Sequence, residues 1–144
     1  GGSKESPERL KAAVLYSVKR GCFDSGSTYM LYDEIKNSVK VFRERRFNLE
    51  TDASEFSKKI EKDKAKLLVQ GVIDLYFQNT DGTYTVVDFK TDKVSGRDAE
   101  SILINRHAEQ LRIYCTAVER ITKGKIKKAV IFSFELMKSI EVSL

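Results

Sequence analysis

Asp74, Asp88 and Lys90 are the residues of this chain whose types and spacing suit catalysis. In Val86-Val87-Asp88-Phe89-Lys90 the β-branched and aromatic residues predict a strand. Alternate strand residues share a face, so Asp88 and Lys90 point one way and Val87 and Phe89 the other. Upstream, Gly71-Val72-Ile73-Asp74-Leu75 places one carboxylate in an apolar run, where an uncompensated charge is costly. Thr80-Asp81-Gly82 suits a three-residue hairpin loop, a type I turn followed by glycine in the left-handed conformation. Counting outward pairs Asn79 with Thr83, Asp74 with Asp88 and Val72 with Lys90 on one face, with the aspartate Cβ atoms roughly 4.5–5.5 Å apart. A loop one residue shorter or longer would separate the aspartates onto opposite faces.

Two carboxylates that close repel, and one of them is driven toward its protonated form unless a cation lies between them. A hard divalent ion resolves this. Mg²⁺, with Mn²⁺ as a substitute, prefers oxygen ligands, so Asp74, Asp88 and the backbone carbonyl of Phe89 would supply the protein's share and a substrate phosphate another. Lys90 beside the ion would orient or help deprotonate an attacking water and stabilise charge on the phosphoryl group. The same hairpin also fits a purely structural reading, in which Asp74 and Asp88 pair with Lys90 or nearby arginines. Spacing alone does not choose between the two.

Composition narrows the chemistry from outside. With 144 residues and 41% hydrophobic residues the chain is sized for one domain and one core. Lys and Arg number 26 against 21 Asp and Glu, a formal net charge of +5 that leans toward an anionic partner. Cys22, Cys115 and the sole histidine, His107, cannot assemble a closed zinc site or an iron–sulfur cluster, so a metal must sit on oxygen. His107, on a helix, reads as structural. No apolar run is long enough for a membrane span or a signal segment, which leads us to expect a soluble, cytoplasmic protein. Gly1-Gly2-Ser3 reads as a linker remnant, leaving residues 4–144 as a single domain excised from something larger.

The elements that must position the aspartates follow from periodicity. Ser6-Pro7 starts a helix over 7–20, and a second helix over 27–40 carries Met30, Leu31, Ile35 and Val39 as its apolar stripe. A strand follows over 41–49, then a polar, lysine-rich stretch over 52–66 expected as a mobile loop or short surface helix. The hairpin arms are 67–77 and 83–90. A helix over 98–122, with Leu103, Leu111, Val118 and Ile121 at helical spacing, stops at Lys123-Gly124. Strands over 127–134 and 140–144, around a turn at Met137-Lys138-Ser139, close a mixed α/β domain with a central sheet flanked by helices.

Read together, Gly71-Val72-Ile73-Asp74, Val87-Asp88-Phe89-Lys90-Thr91-Asp92 and Gln110-Leu111-Arg112-Ile113-Tyr114 resemble the GxxD, D-[FY]-K-[ST] and QxxxY motifs of RecB-type nucleases of the PD-(D/E)xK superfamily. Within it the chain is most similar to AddA-type nuclease domains of bacterial helicase–nuclease complexes, and Phe42-Arg43-Glu44-Arg45-Arg46-Phe47 and Ala117 to Thr122 extend the likeness. The resemblance implies a restriction-endonuclease-like core and a cytoplasmic bacterial enzyme acting in double-strand break repair. In this reading Asp74 and Asp88 are metal ligands, Lys90 is the catalytic lysine, and the substrate is DNA unwound by helicase domains of the parent chain and its partner. Gln110 and Tyr114, one helical turn apart, would touch DNA or support the ligands, and Glu44 would match a supporting glutamate. The chain departs from the family in lacking its upstream GxxxH helix, and it has no GxxxxGK[ST] pattern, which assigns ATP hydrolysis to parts outside it. A catalytically weak DNA-binding or docking module on the same fold, using the lysines of 58–66 and 123–128, is the alternative.

Overall fold

The computed structural model describes residues 25–52 and 66–144. The expected helix over 7–20 and the interior of the polar stretch lie outside the described residues. The elements run α1 (Ser25–Asn37), β1 (Lys40–Asp52), β2 (Lys66–Gln78), β3 (Tyr84–Lys90), α2 (Ala99–Thr122), β4 (Ile126–Ser133) and β5 (Lys138–Val142). The strands form a sheet in the order β1-β2-β3-β4-β5. All neighbours are antiparallel except β3 and β4, which are parallel. Parallel neighbours cannot be joined by a tight turn, and α2 is the crossover that links them. The expected mixed α/β class is the one observed.

The hairpin between β2 and β3 closes as its turn residues dictate. Asn79 N–H donates to the Thr83 carbonyl at 2.7 Å and Gly82 N–H to the Asn79 carbonyl at 2.9 Å. Gly82 has φ of 88°, a conformation that glycine adopts without penalty. Asp81 Oδ1 accepts the Thr83 N–H at 3.0 Å and rigidifies the loop.

Two apolar layers clamp the sheet. Ile73, Val86, Leu103, Leu111, Val118 and Ile131 pack on the α2 face, whereas Leu31, Leu75, Phe77, Val87, Phe89 and Phe132 pack on the α1 face. Full burial of each such side chain contributes about 1.5–3 kcal/mol before ordering costs. Both helical stripes are narrower than their periodicity suggests. Met30 is exposed because α1 rests on the sheet through Leu31, Val39 because it lies beyond the end of α1, and Ile121 is exposed on the last turn of α2.

Element ends shift where contacts, rather than propensity, decide them. Helix α1 stops at Asn37 because Ser38 turns its N–H and hydroxyl back to the Ile35 carbonyl, and Lys40 already pairs with Gln78. Strand β1 is longer than expected: Asp52 and Lys66, assigned to the polar stretch, are strand ends joined by a 2.8 Å ion pair. Lys138 and Ser139 belong to β5 rather than to a turn, and the chain reverses through Met137 at φ 50°. At the end of α2 the left-handed residue is Lys123 (φ 62°), not Gly124. A Cβ on Gly124 would lie 2.5 Å from Tyr84 Cε2, so glycine is needed there to let the Tyr84 ring pack.

Candidate active site

The site forms where the β2–β3 ladder ends. Registered pairs run from Gln78–Tyr84 to Leu75–Val87, and the next residues in line are Asp74 and Asp88. Here the Asp74 side chain takes over the backbone's role, its Oδ2 accepting the Phe89 N–H at 2.9 Å. The register expected from the turn is observed as far as Leu75–Val87. The further expectation, Val72 opposite Lys90, is not met: β2 turns from β3, and Val72 pairs with Arg46 of β1 and is exposed. A carboxylate in place of a ladder carbonyl lets the strands part.

On its other side Asp74 is also released. The β1–β2 register passes from Arg43–Leu75 to Arg45–Ile73, with Glu44 and Asp74 unpaired between them. Glu44 has φ of 50°, a left-handed conformation that costs a non-glycine residue about 1–2 kcal/mol. Its side chain is exposed, outside the buried cluster.

Asp74, Asp88 and Lys90 are brought together and sealed, at 1%, 0% and 3% exposure. Lys90 Nζ lies 2.9 Å from Asp88 Oδ2 and donates to Gln110 Oε1 at 3.1 Å. The lysine approaches Asp88 as an ion pair off the hydrogen-bond axis, so neither Asp88 oxygen has an aligned donor among the described residues. Burial, followed by the Asp88 carboxyl beside it, pushes the Asp74 carboxyl up to about 7, against the lowering effect of the Phe89 N–H. Burial works against the Lys90 ammonium, and the Asp88 and Asp74 carboxylates beside it work in its favour.

Helix α2 supplies the lid over this cluster. Gln110 fixes Lys90, and Tyr114, buried, stacks edge-on against Phe47 with ring centroids 5.7 Å apart. Burial pushes the Tyr114 hydroxyl up to about 12, with the Asp88 and Asp74 charges adding to the effect, so it remains a neutral donor. The glycine of Gly71-Val72-Ile73-Asp74 has a steric cause, since a Cβ there would meet Phe47 Cε1 at 3.0 Å and Tyr114 Cε1 at 3.5 Å. His107 sits off the cluster, with Nε2 2.9 Å from Asp92 Oδ2.

This donor set fits a hard divalent cation. Two acids are buried side by side, one with oxygens that lack a hydrogen-bond partner among the described residues. The described residues hold no group of three or more His, Cys, Asp or Glu that could hold a metal ion, so the protein's share would be these two carboxylates and a backbone carbonyl. Sequence reasoning missed Phe89 N–H as the anchor of Asp74, because only the end of the ladder reveals it. No helix among the described residues is long and apolar enough to cross a membrane.

A mixed sheet whose central hairpin carries Asp, Asp and Lys beneath a crossover helix is consistent with a restriction-endonuclease-like core. A profile of the PD-(D/E)XK nuclease superfamily matches residues 4–141, and the chain belongs to that superfamily. More particularly, it is similar to bacterial proteins named as subunits of an ATP-dependent helicase/nuclease. Identity is 37% over 138 residues with the protein of Clostridium botulinum (strain Okra / Type B1), covering 94% of this chain and 10% of the relative. It is 31% over 139 residues with that of Clostridium perfringens (strain ATCC 13124), covering 94% and 11%. With that of Alkaliphilus metalliredigens (strain QYMF) it is 38% over 103 residues, covering 71% and 8%. The chain thus spans about a tenth of the length of these curated relatives.

Proposed function

We propose that this chain is a metal-dependent DNA nuclease domain that hydrolyses phosphodiester bonds of strands unwound by an associated helicase, in double-strand break repair. The observation that carries this reading is the buried Asp88 carboxylate, unsatisfied by aligned donors yet flanked by Asp74 and Lys90. Its relatives' names, which join a helicase to a nuclease, support the unwound-strand substrate and the helicase partner.

Asp74, Asp88 and the Phe89 carbonyl would hold Mg²⁺ or Mn²⁺. A bound ion supplies Lewis-acid polarisation of the phosphate and a more acidic water. Lys90, held between Asp88 and Gln110, is placed to orient the attacking water and to provide positive charge for the phosphoryl oxygens. Gln110 keeps the lysine from collapsing fully onto Asp88, and Tyr114 offers a neutral hydroxyl beside the two acids. Glu44 contributes through its backbone, whose left-handed turn interrupts the ladder opposite Asp74.

With Mg²⁺ or Mn²⁺ the chain should degrade single-stranded DNA, and Asp88→Ala or Lys90→Ala should abolish cleavage while circular dichroism shows a retained fold. Cleavage that survives both substitutions would overturn the reading. Binding without cleavage under any divalent ion would favour the docking module.

A further inference from the structure

Strand β3 and the residues after it meet α2 in successive rungs. Asp88 lies within the electrostatic reach of Tyr114, Lys90 bonds Gln110 at 3.1 Å, and Asp92 Oδ2 lies 2.9 Å from His107 Nε2 and 3.2 Å from Arg106 Nη1. Residues 88, 90 and 92 alternate along an extended chain, while 114, 110 and 107 descend one side of the helix. Exposure rises along this row. The side chains of Asp88 and Lys90 are 0% and 4% exposed, those of His107 and Asp92 18% and 21%, and that of Arg106 52%. The row opens to solvent at its Asp92 end.

The outer rung is built to present a cation. Burial works against ionisation of Asp92, yet His107 and Arg106 outweigh it and hold the carboxyl below its usual range. An ionised carboxylate only accepts hydrogen bonds, so His107 must donate through Nε2, which orients the ring. Among the described residues Arg106 bonds Asp92 through Nη1 alone, and the rest of its guanidinium fork faces no other acceptor there. Arg97, exposed in the same loop, adds positive charge, while the exposed Lys93 lies 3.7 Å from Glu135 Oε2. A planar fork beside further cations suits a phosphodiester.

We infer that Arg106, braced with His107 by Asp92, grips the DNA backbone one step away from the phosphate held at Asp74, Asp88 and Lys90, which makes the Asp92 rim the entry for the strand. This rests on the nuclease reading above. Arg106 is a positioning residue in this scheme, acting on substrate binding and not on bond cleavage.

The test uses the 144-residue chain and a short fluorescein-labelled oligothymidine, with binding followed by anisotropy in chelator and cleavage followed with Mn²⁺. Arg106→Ala should raise Kd and KM about tenfold, leave kcat within about twofold, and flatten the dependence of log K on log salt by about 0.7. Arg106→Lys should restore most of the salt slope. Arg112→Ala, which removes the same charge from an arginine of α2 bonded to the Ser143 carbonyl, should change neither constant. If wild type cuts and Arg106→Ala matches it, or if Arg112→Ala produces the same loss, the rim assignment fails while the nuclease reading stands. If wild type neither binds nor cuts the oligonucleotide, the nuclease reading fails and takes the rim with it.

Discussion

Asp74 accepts the backbone N–H of Phe89 at 2.9 Å, so a side chain from β2 occupies the place where a ladder carbonyl would otherwise sit. That substitution ends the pairing of the two strands and leaves their carboxylates facing each other.

The cost of burying Asp74 should be visible as a pH dependence of stability. Its carboxyl is raised from 3.8 to about 7, so between those values the folded chain binds more protons than the unfolded one. Stability therefore falls as pH rises through that window, by at most a few kcal/mol. In chelator, wild type should melt at a higher temperature at pH 5 than at pH 8, and Asp74→Asn should flatten that difference. Adding Mn²⁺ at pH 8 should raise the melting temperature of wild type and not that of the variant. An unchanged pH slope in Asp74→Asn would show that the aspartate is not the titrating group.

Lys90 and Asp88 should behave as one unit. Removing either leaves the other charge buried without its partner, a loss of about 3–5 kcal/mol, whereas removing both spares that penalty. A double-mutant cycle on Asp88→Ala and Lys90→Ala, measured by urea unfolding in chelator, should therefore be non-additive, the double variant being more stable than the two single losses sum to. Additivity within about 0.5 kcal/mol would mean that the pair is uncoupled.

Gly71→Ala tests the steric reading of the GxxD glycine. Its new methyl would press on Phe47 Cε1 at 3.0 Å and Cζ at 3.1 Å, and Phe47 in turn supports Tyr114. Overpacking of this kind costs about 1–3 kcal/mol. Equilibrium unfolding should show that loss, and the Tyr114 ring environment should shift in near-ultraviolet circular dichroism. A variant as stable as wild type would mean that the ring yields freely.

Much of this arrangement is legible in local chemistry. Alternation in Val86-Val87-Asp88-Phe89-Lys90 and the left-handed glycine after Thr80-Asp81 depend on residues a few positions apart, so the hairpin, its three-residue loop and the shared face of Asp88 and Lys90 follow from the chain alone. The three motifs and their order likewise mark the superfamily.

What long-range packing decides could not be read that way. That Gln110 reaches Lys90, or that Asp92 captures His107 and Arg106, depends on how α2 lies across the sheet, over sequence separations of 20, 15 and 14 residues. Whether Met30 and Ile121 are buried depends on where each helix touches the strands, and the exposure of Val39 on where α1 ends, neither of which periodicity specifies. Gly124 looks like a helix stop, but its role is set by the Tyr84 ring of a distant strand. The sequence by itself determined which residues could form the site and which face of β3 they share. Only the tertiary structure decided where the ladder ends, because that turns on one carboxylate competing successfully with the backbone for the Phe89 N–H.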